Sequence, residues 1–144
     1  MKYRTTLVLF LFLLGCQSTM SHSSHSSHSS GELNTNWTQL SANKRYQGTL
    51  SSQLEPLQIN QIHEWQLEIE TSEGEPLIGA VVTLSGGMPE HQHGFPTVPT
   101  VTEVGDGRYL IEGMKFQMSG SWQMVFDIEV NGERDELVFN FMVP

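Results

Sequence analysis

A short segment in the middle of the chain brings together side chains that could bind a metal ion. The stretch 86–96, with the sequence GGMPEHQHGFP, contains the thioether of Met88 and the imidazoles of His91 and His93. The two histidines are two residues apart, so an extended chain would direct both side chains to one side. Thioether is a soft ligand that hard Ca²⁺ and Mg²⁺ sites do not use, so this mixed ligand set favours copper.

Three residues elsewhere in the chain could extend this ligand set. Met114 and Met118 share one alternation parity with Phe116. We expect Met118 to be a ligand and Met114 to be a core residue, because methionine often fills gaps in cores. His63 shares the parity of Trp65, on the apolar side of a strand candidate. It is either a hydrogen-bonded core histidine or an additional metal ligand, and Met114 has the same alternative role.

Short strands must position these side chains. Apolar residues alternate with polar ones in 65–69 and in 122–130, as in strands with one buried face. The segments 105–107 (Gly-Asp-Gly) and 131–132 (Asn-Gly) predict tight hairpin turns. We therefore expect residues 46–144 to form an all-β, immunoglobulin-like β-sandwich of about seven strands. Trp65 and Trp122, which begin the two alternating segments, are predicted to lie in the core of the sandwich.

The N-terminal segment has the pattern of an export signal. Lys2 and Arg4 precede an unbroken apolar run at 7–14, which is too short to span a bilayer. The run ends in Leu-Leu-Gly-Cys16, which resembles the lipobox of bacterial lipoproteins. Residues 1–15 are therefore predicted to be a lipoprotein signal peptide, and Cys16 is predicted to carry a lipid that anchors the protein to a membrane.

A serine- and histidine-rich linker is predicted to follow, over residues 16–45. The repeat SHSSHSSHSS at 21–30 has no apolar side chain to bury, so we expect it to be disordered. Its histidines, His22, His25 and His28, either capture a transition metal weakly or only form part of a solvated spacer.

Composition excludes several classes of protein. Seven Lys and Arg residues against sixteen Asp and Glu residues give a net charge of −9, which argues against nucleic-acid binding. Cys16 is the single cysteine, so no thiolate remains for a blue-copper centre. The sequence has no His-Glu-x-x-His motif and no serine nucleophile elbow, and we do not expect an enzyme.

The residue after the predicted lipidated cysteine bears on the location of the protein. Gln17 stands where an Asp would indicate inner-membrane retention, which favours an outer-membrane protein facing the periplasm.

Several motifs between residues 59 and 143 are also characteristic of a known family. They are His63-Glu64-Trp65, Gly79-Ala80, Gly86-Gly87-Met88-Pro89-x-His91-x-His93-Gly94, Pro96-Thr97, Gly105-Asp106-Gly107-Arg108-Tyr109 and Gly113-Met114-x-Phe116-x-Met118-x-Gly120-x-Trp122. With these motifs the chain resembles the YtkA-like and FixH-like family of exported bacterial domains. The resemblance implies an immunoglobulin-like sandwich and a role in copper handling or respiratory-oxidase assembly. FixH-like members are often anchored by a helix, whereas a lipid would anchor this chain.

These observations lead to one functional expectation and two alternatives. We expect an envelope lipoprotein that binds Cu(I) through Met88, His91, His93 and Met118, and that passes it to an envelope protein or an oxidase. The first alternative is a metal-free immunoglobulin-like adaptor that docks another envelope protein. The second is an accessory lipoprotein that senses a metal or a small molecule.

Overall fold

The computed structural model describes residues 36–144. Within this range the chain forms nine strands and one short 3-10 turn at Pro89–His91. The strands are β1 (Asn36–Leu40), β2 (Tyr46–Ser52), β3 (His63–Thr71), β4 (Val81–Met88), β5 (His93–Gly94), β6 (Thr100–Gly105), β7 (Arg108–Met114), β8 (Gly120–Val130) and β9 (Glu133–Val143). The predictions for Cys16, His22, His25 and His28 lie outside the described residues.

The strands build two antiparallel sheets that pack face to face. One sheet has the order β1-β2-β3-β7-β6 and the other has the order β5-β4-β8-β9. The predicted all-β sandwich is confirmed. Residues 36–144 contain nine strands where about seven were predicted, because the sequence did not indicate β1 or the two-residue β5. No helix in this range is long and apolar enough to cross a membrane.

The inward faces of both sheets meet in an aromatic core. Trp65 and Trp122 are both completely buried, as their alternation predicted. Phe116 lies between them and contacts both rings edge-on, with ring centroids 6.1 Å and 4.9 Å away. This cluster of large side chains fills the end of the sandwich near the candidate metal ligands. Contacts between aromatic rings stabilise a fold by more than the apolar area they bury.

The sandwich begins earlier than the sequence predicted. Residues 36–40, assigned to the linker, form an edge strand that pairs with β2. The side chain of Trp37 is half-buried and stacks on Trp65, with ring centroids 5.3 Å apart. Trp37 and Leu40 are the apolar residues of this strand and lie three positions apart, which gives no alternating pattern, so the sequence predicts the boundary only at residue 46.

A buried carboxylate ties the β1–β2 connection of one sheet to β9 of the other. Asp135 accepts hydrogen bonds from the Ser41 hydroxyl at 2.8 Å and from the Asn43 backbone N–H at 3.0 Å. Burial alone would raise the pKa of Asp135. The hydrogen bonds from Asn43, Ser41 and the Glu136 N–H, with the charge of Arg45, outweigh that effect and hold the pKa below its usual value.

Candidate metal site

Met88 and His93 are direct neighbours on two antiparallel strands. Strand β4 ends at Met88, the chain turns through Pro89–His91, and β5 begins at His93. The two residues are register partners, so their side chains project on the same face of the sheet. Side chains in such pairs have Cβ atoms about 4.5–5.5 Å apart. The thioether and the imidazole are therefore close enough to bind the same metal ion.

His91 also lies close to His93, although the backbone between them does not have the extended conformation that the sequence predicted. The segment is not extended, because Pro89 starts a 3-10 turn and Gln92 adopts a left-handed conformation with φ of 56°. The rings of His91 and His93 nevertheless lie with their centroids 6.0 Å apart. Two imidazoles that bind one ion through nitrogens at about 2 Å have ring centres roughly 5–6 Å apart. His91 is exposed, so its ring has freedom to adjust.

A backbone carbonyl next to His93 indicates which ring nitrogen carries the proton of the neutral imidazole. The Nδ1 atom of His93 lies 3.0 Å from the Gly94 carbonyl oxygen and 3.1 Å from the side-chain amide nitrogen of Gln117. A carbonyl can only accept, so Nδ1 carries the proton and Nε2 keeps its lone pair. The Gln117 amide has its nitrogen toward Nδ1. Turned so that its oxygen faces His93, the amide accepts from the Nδ1 proton, in agreement with the Gly94 contact.

The Nε2 atom of His93 is therefore available for coordination. It is buried, and no atom in residues 36–144 forms a hydrogen bond with it. Buried polar atoms are normally satisfied, so an unpartnered ring nitrogen needs an explanation. Nitrogen ligands of metals typically have this arrangement, in which the other ring nitrogen donates to a fixed acceptor.

Two glycines open a cleft beside this pair. Gly86 and Gly87 have φ values of 142° and 150°, which favour glycine. A Cβ on Gly87 would lie only 2.1 Å from the carbonyl oxygen of His93, so any side chain there would separate β4 from β5. The cleft has a volume of about 190 Å³ and is lined by Met88, His93, Pro89, Gln92, Gln123 and the glycines.

The two predicted methionine ligands differ in exposure. Met88 is only 2 % exposed, whereas the sequence placed it on a loop, and its methyl group packs against Gly120. Met118 is 40 % exposed. It lies between Gln117, which contacts His93, and Gly120, which contacts Met88. The structure thus brings the segment containing Met118 to the same end of the sandwich as the hairpin.

Met114 and His63 are not part of this group. Met114 is completely buried and is the register partner of His63 across β3 and β7. The rings of His63 and Phe116 lie 5.4 Å apart. Burial lowers the pKa of His63, and the hydrogen bond between its Nδ1 and the Gln61 carbonyl oxygen opposes that effect only in part.

The ligand chemistry at the hairpin depends on thioethers. In the part of the chain that the structure describes, no three His, Cys, Asp or Glu side chains are grouped so that they could hold a metal ion. His91 and His93 therefore need Met88 or Met118 to complete a site. Gln117, which positions His93, was missed by the sequence analysis because no periodicity or motif distinguishes it from other polar residues.

Comparison with known proteins gives one match. The YtkA-like family model matches residues 40–126, which include every candidate ligand from His63 to Met118. No curated protein and no solved structure matches the chain.

Proposed function

The chain belongs to the YtkA-like family, and from this membership and the geometry of the Met88–His93 hairpin we propose that it binds copper. The observation that carries the proposal is the Nε2 atom of His93, which is buried and unpartnered within residues 36–144 and lies on the same sheet face as a buried thioether. Imidazole and thioether together select Cu(I) over Zn²⁺, Ca²⁺ or Mg²⁺.

Each proposed ligand has a distinct position. The buried thioether of Met88 and the buried Nε2 of the half-buried His93 form the inner pair, which is fixed by strand register. His91 and Met118 are exposed and complete the coordination from outside. Exposed ligands can be exchanged one at a time for those of another protein, so the ion can leave without the sandwich unfolding. This division of ligands supports a carrier or accessory factor, which requires no catalytic group.

The cellular role follows from the N-terminal sequence. A signal peptide at 1–15 and a lipid on Cys16 would hold the domain in the cell envelope, most simply at the outer membrane facing the periplasm. In this position it would pass copper to an envelope protein or contribute to respiratory-oxidase assembly. Loss of the anchor would then reduce the fraction of cellular copper that reaches such a partner.

Competition with a calibrated Cu(I) chelator tests the proposal. The full mature chain should bind Cu(I) more tightly than Zn²⁺, and the His93→Ala variant should bind Cu(I) at least about tenfold more weakly. Met124→Leu is the control and should bind Cu(I) as tightly as the parent, because Met124 is as deeply buried as Met88 but its register partner on β4 is Gly86. A Met88→Leu/His91→Ala/His93→Ala variant that binds Cu(I) as tightly as the parent would overturn the assignment and favour the metal-free adaptor.

A further inference from the structure

We propose that His63 and Met114 form a second Cu(I) site, separate from the hairpin, between strands β3 and β7. The two residues are register partners on antiparallel strands, and both side chains are buried. An imidazole and a thioether therefore lie next to each other on the inner face of the sheet. The inference does not rest on copper binding at the hairpin, because the two sites share no residue.

The first support is the free nitrogen of His63. Its Nδ1 lies 3.1 Å from the carbonyl oxygen of Gln61, which can only accept, so Nδ1 carries the proton. Nε2 keeps its lone pair, is buried, and has no hydrogen-bond partner in residues 36–144. His63 as a whole is 8 % exposed, so water has little access to satisfy this nitrogen.

The second support is that the same arrangement occurs twice in one small domain. In each case a methionine ends a strand, a histidine begins the antiparallel neighbour, and the two are register partners. In each case a backbone carbonyl fixes the proton on Nδ1 and leaves a buried Nε2 without a partner among the described residues. Core packing requires neither the tautomer nor the pairing.

The surroundings of His63 favour a soft, singly charged ion. Its ring centroid lies 5.9 Å from that of Trp65 and 5.4 Å from that of Phe116. Hard cations need several oxygen ligands. The side chains found beside His63 are instead the rings of Trp65 and Phe116 and the thioether of Met114. Aromatic faces attract a desolvated cation, and the indole of tryptophan does so most strongly. Cu(I) is stable with two or three soft ligands, so one nitrogen, one sulfur and an aromatic face form a sufficient set.

The second site is separated from the first by aromatic side chains. His93 contacts Trp122, His63 contacts Phe116, and the centroids of these two aromatic rings are 4.9 Å apart. His63 is the first residue of β3, and Met114 is the last residue of β7. Strand ends open more readily than strand centres, so an ion can enter without disruption of the whole sheet.

Cu(I) stoichiometry is the first test. We would titrate the full mature chain anaerobically in a His22→Ser/His25→Ser/His28→Ser background, which removes the linker imidazoles. The expected result is two equivalents of Cu(I) per chain, falling to one in Met114→Leu and in His63→Gln. Met124→Leu, an equally buried methionine with Gly86 as its partner on β4, should keep both equivalents.

Nitrogen NMR of the unsubstituted chain is the second test, and it avoids variants at His63 and Met114 that could misfold. The Nε2 signal of His63 should shift on addition of Cu(I), and it should still do so in Met88→Leu/His91→Ala/His93→Ala, which leaves the second site intact. That outcome would support the second site even if the hairpin site failed. A His63 signal unchanged at two equivalents, or the same stoichiometry in parent and Met114→Leu, would overturn the second site and leave the hairpin proposal standing.

Discussion

At the scale of single residues, His63 and His93, whose Nε2 atoms have no hydrogen-bond partner within residues 36–144, show how backbone carbonyls determine side-chain chemistry. The Gly94 carbonyl holds the proton of His93 on Nδ1, and the Gln61 carbonyl does the same for His63. Either ring would be a poorer ligand if its proton moved to Nε2, because that nitrogen would lose its lone pair. Residues that hold the proton on Nδ1 should therefore affect metal affinity without touching the ion.

Gln117 is such a positioning residue. We expect Gln117→Ala to weaken Cu(I) binding at the hairpin about tenfold, because the ring of His93 loses a hydrogen-bond partner. Gln117→Glu should restore tight binding, since a carboxylate accepts the Nδ1 proton and increases the basicity of the ring. Chelator competition measures both variants. Gln123→Ala is the control, because Gln123 lines the same cleft and its side-chain amide donates to Asn140.

A purely structural role for Gln117 would give a different result. Both substitutions would then lower the melting temperature in parallel with the loss of affinity, and glutamate would not restore binding. Equal affinity in Gln117→Ala and the parent would show that His93 keeps its tautomer and orientation through Gly94 alone.

At the scale of elements, alternation predicted the long strands well and the connections poorly. Strand β8 buries every second residue from Trp122 to Ile128, as its sequence indicated. The parity shared by Met114, Phe116 and Met118 holds as far as Phe116, which is completely buried like Met114, and ends before the exposed Met118. Strand β7 ends at Met114, and the next residue to bridge, Phe116, pairs in isolation with Ile59. Parity does not continue through a segment that is not a strand, so one methionine is buried and the other is exposed.

The site residues illustrate the same limit. Residue types and spacing indicated Met88, His91 and His93 as ligands, and the structure brings these three side chains to one hairpin. The pairing of His63 with Met114 could not be predicted from sequence. It depends on which strands are neighbours and on an irregular register between His63 and Trp65, and both features arise from tertiary packing.

Asp135 gives a prediction about how the two sheets are held together. We expect Asp135→Asn to lower the free energy of unfolding at pH 7 by roughly 1.5–3 kcal/mol, because the buried side chain loses its charge-assisted hydrogen bonds. The pKa of Asp135 is lowered in the folded state, so its contribution is fully present above the ordinary aspartate pKa. It should be lost as the pH falls below about 4.

Urea unfolding at several pH values measures this contribution. The parent should lose stability more steeply than Asp135→Asn below about pH 4. Asp127→Asn is the control, because Asp127 lies on β8 with an exposed side chain. Parallel curves for Asp135→Asn and the parent would show that the carboxylate does not join the sheets in the way we describe.

At the scale of the whole molecule, the proposed copper ligands and the predicted lipid attachment belong to different parts of the chain. Every proposed copper ligand of the sandwich lies between His63 and Met118, whereas the predicted lipid is on Cys16. A flexible linker lets a domain sample the space near its membrane and raises its effective concentration near a membrane partner. Affinity for copper and delivery of copper should therefore respond to different substitutions.

Cys16→Ser separates the two properties. We expect this variant to leave the membrane fraction, because the predicted lipid attachment is lost, and to bind Cu(I) as tightly as the parent. Gln17→Asp is the matched control. It keeps the cysteine and so should remain in the membrane fraction, but it should move from the outer to the inner membrane. Fractionation of cells and Cu(I) titration of the purified proteins measure the two properties independently. Cys16→Ser protein that still pellets with membranes would show that something other than Cys16 anchors the chain.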